Sequence, residues 1–189
     1  MVRSPAWRYP SAMSFTIREY RPDDAGPMAA LYFDAVRTIG VRAYSLDQVV
    51  AWASEPASPT MVQERAADGR KTLVAVNSTD EVIGYADLER KGHLDHLYCR
   101  PDVVGNGVGG ALIDAILECA RDWRLERVSV HASEIARPVF ERKGFSLKER
   151  RDFTLRGVAI HNYRMEWVET GTGCVAKSST NHPLRANGR

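Results

Sequence analysis

The chain of 189 residues is 44% apolar and 26% charged, values ordinary for one folded domain with short tails. Its formal net charge is +2, with the excess at the ends; residues 14–168 hold 21 basic and 23 acidic side chains, which argues against nucleic acid as the main partner. Cys99, Cys119 and Cys174 have no paired spacing, so neither a disulfide framework nor a metal site is expected. No apolar run approaches the roughly 20 residues of a membrane span, and the N-terminus lacks the apolar stretch of a secretory signal. A reducing, cytoplasmic setting with no membrane partner is the expectation.

In chain order, residues 1–13 read as a flexible extension, and Met13 is a candidate start because a well-patterned segment follows it. Phe15–Tyr20 alternates apolar and polar residues, which predicts a strand. Pro22, Asp23 and Asp24 fit the first turn of a helix carrying Met28, Leu31, Tyr32, Ala35, Val36 and Ile39 at helical spacing. Ser45-Leu46-Asp47-Gln48 has the form of a capping box opening a second helix through Trp52, and a short helix is expected around 60–67. Lys71–Val76, Val82–Leu88 and His93–Cys99 read as three strands of an antiparallel meander. Val108, Leu112, Ile113, Ile116, Leu117, Ala120 and Trp123 share one helical face. Arg127–His131 is a strand, and Ser133 caps a helix expected to run to about Arg142. Phe145–Leu155 and Val158–Val168 form a hairpin about Arg156-Gly157. Residues 169–189, rich in Gly, Ser, Thr and Asn, read as a disordered tail, which leaves one domain over 14–168. A meander followed by a crossover helix predicts an α/β (α+β) mixed sheet, with about seven strands and about four helices.

The strongest chemical signal is Val104-Gly105-Asn106-Gly107-Val108-Gly109-Gly110, between a strand and a helix. Glycines let a ligand approach the main chain, and a helix start offers unpaired N–H groups and the positive dipole end, an arrangement suited to a pyrophosphate. A tight strand–helix connection would use the same residues. Gly105, Gly107 and Gly110 also fit the dinucleotide pattern G-x-G-x-x-G, but the preceding meander and the missing acid after the next strand oppose it. The absence of Gly-Lys-Ser/Thr excludes a triphosphate P-loop.

This loop and the segment Ala136-Arg137-Pro138-Val139-Phe140-Glu141-Arg142-Lys143-Gly144-Phe145 together resemble the two signatures of the GNAT superfamily of N-acetyltransferases, in the family's order and spacing. The likeness covers about residues 15–168. Tyr44-Ser45, Gln48, Ala51-Trp52, Leu94-Asp95-His96-Leu97 and Arg156-Gly157-Val158 resemble a bacterial subgroup of uncharacterised members. The resemblance implies a GNAT-like acyl-CoA N-acyltransferase fold with acetyl-CoA as co-substrate, lying where the fourth and fifth strands splay. It implies pyrophosphate contacts from Val104, Gly105, Asn106, Gly107, Val108, Gly109 and Gly110, and pantetheine pairing with the main chain of Leu97, Tyr98 and Cys99. The Cys99 backbone N–H would then polarise the thioester carbonyl. Ser133 and Phe140 would touch the cofactor. Two departures stand out: Val104 replaces the usual Gln or Arg, and Phe140 replaces the Tyr that often protonates the leaving thiolate.

An alkyl ammonium, with a pKa near ~10, must lose a proton before attack. Asp95 is the first candidate base and His93 the second, on the expectation that they share a face opposite Leu94, His96 and Tyr98. An ion pair is the competing explanation for Asp95, and a solvated strand end for His93. Tyr163 is a candidate substitute acid; Tyr32, Tyr44 and Trp52 are candidate acceptor-pocket residues, with aromatic packing as the alternative for each. The Cys99 thiol has no identifiable base beside it and reads as packing. The expected reaction is direct acetyl transfer, in a ternary complex, to an amine of a small molecule or peptide. A non-catalytic acetyl-CoA-binding module is the alternative. A homodimer through the last strands is also open.

Overall fold

The computed structural model describes residues 14–169. The readings of 1–13 as a flexible extension, of Met13 as a start and of 170–189 as a disordered tail lie outside the described residues. Glu169, assigned to that tail, is anchored instead: its N–H donates to the Glu126 carbonyl at 2.9 Å, and Arg121 donates to its carboxylate at 2.9 Å.

Seven strands form one sheet, β1 (Thr16–Glu19), β2 (Lys71–Val76), β3 (Val82–Leu88), β4 (His93–Cys99), β5 (Arg127–Ala132), β6 (Ser146–Leu155) and β7 (Val158–Val168), in the order β1-β2-β3-β4-β5-β7-β6. Every pairing is antiparallel except β4 with β5. A dinucleotide fold needs a parallel sheet with the glycine turn after its first strand, so that reading fails here. The helices are α1 (Ala25–Ile39), α2 (Leu46–Trp52), α3 (Pro59–Ala66), α4 (Val108–Asp122) and α5 (Arg137–Arg142).

The apolar stripe of α4 packs on one face of the sheet with Leu94, Val128, Val130, Phe140 and Met165. On the other face, Met28, Leu31 and Ala35 of α1 cover Val74, Val76 and Tyr85. The Ser45 capping box forms as expected: Ser45 Oγ accepts the Gln48 N–H, and Gln48 Oε1 accepts the Ser45 N–H. Gln48 Nε2 then donates to the Ala159 carbonyl at 2.8 Å, so the cap also ties α2 to β7. Helix α5 starts three residues later than expected, because Ser133 caps a turn ahead of it, accepting the Ala136 N–H at 3.1 Å. Helix α3 contributes no buried residue. Arg65 ties it down by pairing with Asp87, which is 2% exposed, and with Asp95.

Gly92 fixes the start of β4. Its φ is +87°, its carbonyl accepts the Ser129 N–H at 2.8 Å, and a Cβ there would lie 2.8 Å from the Arg127 carbonyl oxygen. Gly92→Ala should therefore cost about 2 kcal/mol through left-handed strain and this clash. Thermal unfolding should show a Tm drop of about 4–8 °C.

Candidate active site

The parallel ladder between β4 and β5 has two pairs, His93 with Ser129 and Leu94 with Val130, and then stops. The cause is on the other edge of β4. There Asp87 faces His96 and Leu88 faces Leu94, so Asp95 is an unopposed bulge residue. Such a bulge bends its strand and sharpens the twist, turning β4 away from β5. It also corrects the alternation expected for β4. Leu94, Leu97 and Cys99 pack on the α4 side, whereas His96 stacks on Tyr32 and Tyr98 packs against the α1 clusters. Leu94 therefore does not share a face with His96 and Tyr98.

Beyond the bulge, the Arg100 N–H donates to the Ile83 carbonyl at 2.9 Å. Antiparallel strands alternate bonded and non-bonded pairs, so the N–H and C=O groups of Leu97 and Cys99 turn to the edge that β5 has left. That edge opens on a cleft of about 660 Å³. The cleft runs from the glycine loop, past Leu97, Tyr98 and Cys99, to Ile39, Tyr44 and Trp52.

The glycine loop forms one end. Gly105 and Gly107 have φ near +90°, and a Cβ at either would meet nothing within 4 Å, so both are set by backbone conformation beside open space. The amides of Val108, Gly109 and Gly110 begin α4 and have no intrahelical acceptor. Asn106 departs from the expected set, since its N–H donates to the Val103 carbonyl at 3.1 Å. The Val108 side chain is buried beneath the loop. Val104, Gly105, Asn106, Gly107, Gly109 and Gly110 line the cleft; so do Arg142 and Lys143, which the sequence reading missed. Lys143 Nζ donates to Asp114 at 2.5 Å.

Ser133 and Phe140 also line the cleft. The ring of Phe140 is fully buried and edge-on to Phe145 at 5.0 Å, filling the family's tyrosine position without a hydroxyl. Ser133 Oγ accepts the Ala136 N–H, which leaves its own proton uncommitted. The Cys99 thiol lines the cleft too, and burial pushes it up to about 12, so it stays protonated.

The expected acid–base and acceptor residues divide. Asp95 lines the cleft but is paired with Arg65, and with Arg70 at 3.4 Å. Burial alone would raise its pKa; the Arg65 charge and hydrogen bond outweigh that and hold it below the usual carboxylate range, which makes it a weak base. His93 lies next to the cleft. Its Nδ1 is 3.0 Å from Ser129 Oγ, and its ring centroid is 4.8 Å from that of His131. His131 does line the cleft, and partial burial, then the Arg151 charge and that of His93, lower its pKa. Alternation along β5 marks His131 for this face, because Val128, Val130 and Ala132 occupy the core side.

Tyr163 is not among the residues that line the cleft. Its hydroxyl donates to Glu134 at 2.5 Å, and that carboxylate also lies 3.2 Å from His161 Nε2. Tyr44 and Trp52 line the acceptor end with rings 5.5 Å apart and edge-on. The Tyr44 hydroxyl accepts the Glu134 N–H at 2.8 Å and donates to the His161 carbonyl at 3.2 Å. Tyr32 lies behind this wall, bonding its hydroxyl to the Trp52 carbonyl at 3.2 Å, and lines a separate pocket. Among the described residues, no group of three or more His, Cys, Asp or Glu could hold a metal ion, and no helix is long and apolar enough to cross a membrane.

The model of the acetyltransferase (GNAT) domain matches residues 41–167, which include the glycine loop, the splayed strands and α5. The chain belongs to the GNAT family of acetyltransferases. An uncharacterised N-acetyltransferase of Escherichia coli, YafP, is 28% identical over 152 residues, covering 80% of this acetyltransferase and 94% of YafP. A crystal structure of a GCN5-related N-acetyltransferase from Rhodopseudomonas palustris is 30% identical, with a TM-score of 0.75, covering 88% of this chain and all of that one. YncA of Salmonella typhimurium, a putative acetyltransferase solved with acetyl-CoA, shares the fold at 17% identity and a TM-score of 0.65, covering 82% of this chain and 93% of that one.

Two outcomes follow from this geometry. Cys99→Ala keeps the backbone N–H and should retain acetyl transfer within about threefold, whereas loss of more than ~100-fold would give the thiol a chemical role. Asp95 has a lowered folded pKa, so the stability it adds is present above its unfolded pKa near ~4 and lost as pH falls through the folded value. Wild type should be more stable than Asp95→Asn at pH 7, and urea melts of the two should converge towards pH 3.

Proposed function

We propose that this acetyltransferase moves the acetyl group of acetyl-CoA to an amine of a small molecule or peptide, by direct attack in a ternary complex. One observation carries the reading: the main-chain groups of Leu97 and Cys99 face an unpaired edge that leads straight to the amides opening α4. An extended amide-bearing arm can add to that edge as a strand would, while its diphosphate meets the helix N-terminus. The Cys99 N–H is then in line to bond the thioester oxygen as it gains charge. The acetyl-CoA complexes among proteins of the same fold support this choice of co-substrate.

Proton transfer follows from the side chains around the splay. With Asp95 held in its ion pairs, we assign removal of the ammonium proton to the His93–His131 pair, directly or through water. Burial first of all pushes the His131 imidazole down to about 4, so it is neutral at pH 7 but no stronger a base than an ordinary carboxylate, and it relays the proton to water rather than retaining it. Asp95 acts by holding Arg65 and Arg70 at the bulge. The CoA thiolate is a tolerable leaving group without a phenol at position 140. The uncommitted Ser133 proton is the hydroxyl proton available to it in the cleft. Tyr44 and Trp52 bound the acceptor. The reading includes a cytoplasmic setting, supported by the free thiols of Cys99 and Cys119, and a homodimer through the exposed edge strand β6, which sedimentation at twice 21.1 kDa would support.

The deciding experiment is thiol release from acetyl-CoA against amines, amino acids, aminoglycosides and peptides. Release with at least one class is expected; saturable acetyl-CoA binding with no release across the panel overturns the reading. With an acceptor found, His131→Ala should lower kcat by about 100-fold or more at unchanged acetyl-CoA affinity. The acidic limb of the wild-type kcat/KM profile should fall below the ordinary histidine range. Unchanged kcat in both His93→Ala and His131→Ala would move the base elsewhere.

A further inference from the structure

A second pocket, of about 260 Å³, lies on the α1 side of the sheet, roofed by α3. Met28 and Tyr32 of α1, Met61, Val62 and Ala66 of α3 and Thr72 of β2 line it. The Thr72 hydroxyl has no hydrogen-bond partner, although the residue is 7% exposed. A donor in an apolar wall calls for an acceptor in the space it faces. The other polar groups are already matched: Tyr85 Oη lies 3.4 Å from His96 Nδ1, and Asp87 takes charged bonds from Arg65 at 3.2 Å and Arg70 at 3.0 Å. With those charges paired, the pocket favours a neutral occupant. The roof is lightly seated, since α3 has no buried residue and Met61 at the lip is 62% exposed.

We propose that this pocket binds a neutral, single-ring aromatic molecule carrying one hydroxyl or amide group, which accepts a hydrogen bond from Thr72. A dry apolar cavity of about 150 Å³ already admits benzene, so this space takes a substituted ring. Two methionine thioethers and the rings of Tyr32 and Tyr85 offer sulfur–aromatic and edge contacts to it. Arg65 stands between the two spaces, lining this pocket and bonding Asp95 on the rim of the acyl cleft. The site is thus distinct from the cleft and does not depend on which amine is acetylated.

Titration of the full chain with phenol, benzamide, toluene and benzoate, followed by NMR shifts of α3 residues, tests the proposal. Phenol and benzamide should bind saturably at one site, benzoate at least about tenfold more weakly, and saturating acetyl-CoA should not compete. Thr72→Val, which keeps the side-chain shape, should weaken phenol about tenfold and leave toluene unchanged. Ala66→Trp, which fills the pocket from a half-buried helix position, should abolish both while acetyl-CoA binding persists. Competition by acetyl-CoA, phenol binding that survives Ala66→Trp, or a phenol-soaked crystal holding water alone in the pocket would overturn it.

Discussion

One extra residue in β4 governs the rest of the molecule. Asp95 has no partner on β3, and the kink it creates limits β4 and β5 to two paired residues. Without that bulge the ladder could continue, and the N–H groups of Leu97 and Cys99 would be spent on β5. The cleft and the exposed amide of the proposed oxyanion site share this single cause. Bulges are costly to regular pairing, and the ion pairs of Asp95 with Arg65 and Arg70 hold this one in shape. Asp95, which reads as a base from its position, is proposed instead to act as a clamp.

Much of the architecture was legible from pattern alone. The stripe in 108–123 and the alternation in 15–20 gave helix and strand directly, because each element buries one face. The capping box at Ser45 and the Arg156-Gly157 turn followed from local hydrogen bonding and from the positive φ that both turn residues adopt. The misses have physical reasons as well. Period-two counting cannot see a bulge, so it put His96 on the wrong side of β4 relative to Leu94. The start of α5 moved because Ser133 closes a turn of its own before Pro138 enters the helix.

The site was less legible because its chemistry depends on contacts between distant segments. Nothing near Asp95 in sequence announces Arg65, thirty residues earlier on a helix that buries no side chain. Nothing near Tyr163 announces Glu134, which accepts its hydrogen bond. His131 could have been found, since it alternates with core residues on the strand that flanks the splay. The glycine loop was readable because its function lies in the backbone, where glycine spacing is itself the chemistry.

The hydroxyl of Tyr44 joins three segments far apart in the chain, receiving a bond from the turn after β5 and giving one to β7. Its ring meanwhile forms part of the acceptor wall. The wall is therefore suspended from the turn after β5 and from β7, the strands beside the splay. Trp52, half-buried beside Tyr44, meets its ring edge-on. On the proposed function, a substitution at Trp52 would reshape the acceptor side while leaving the Tyr44 joint in place.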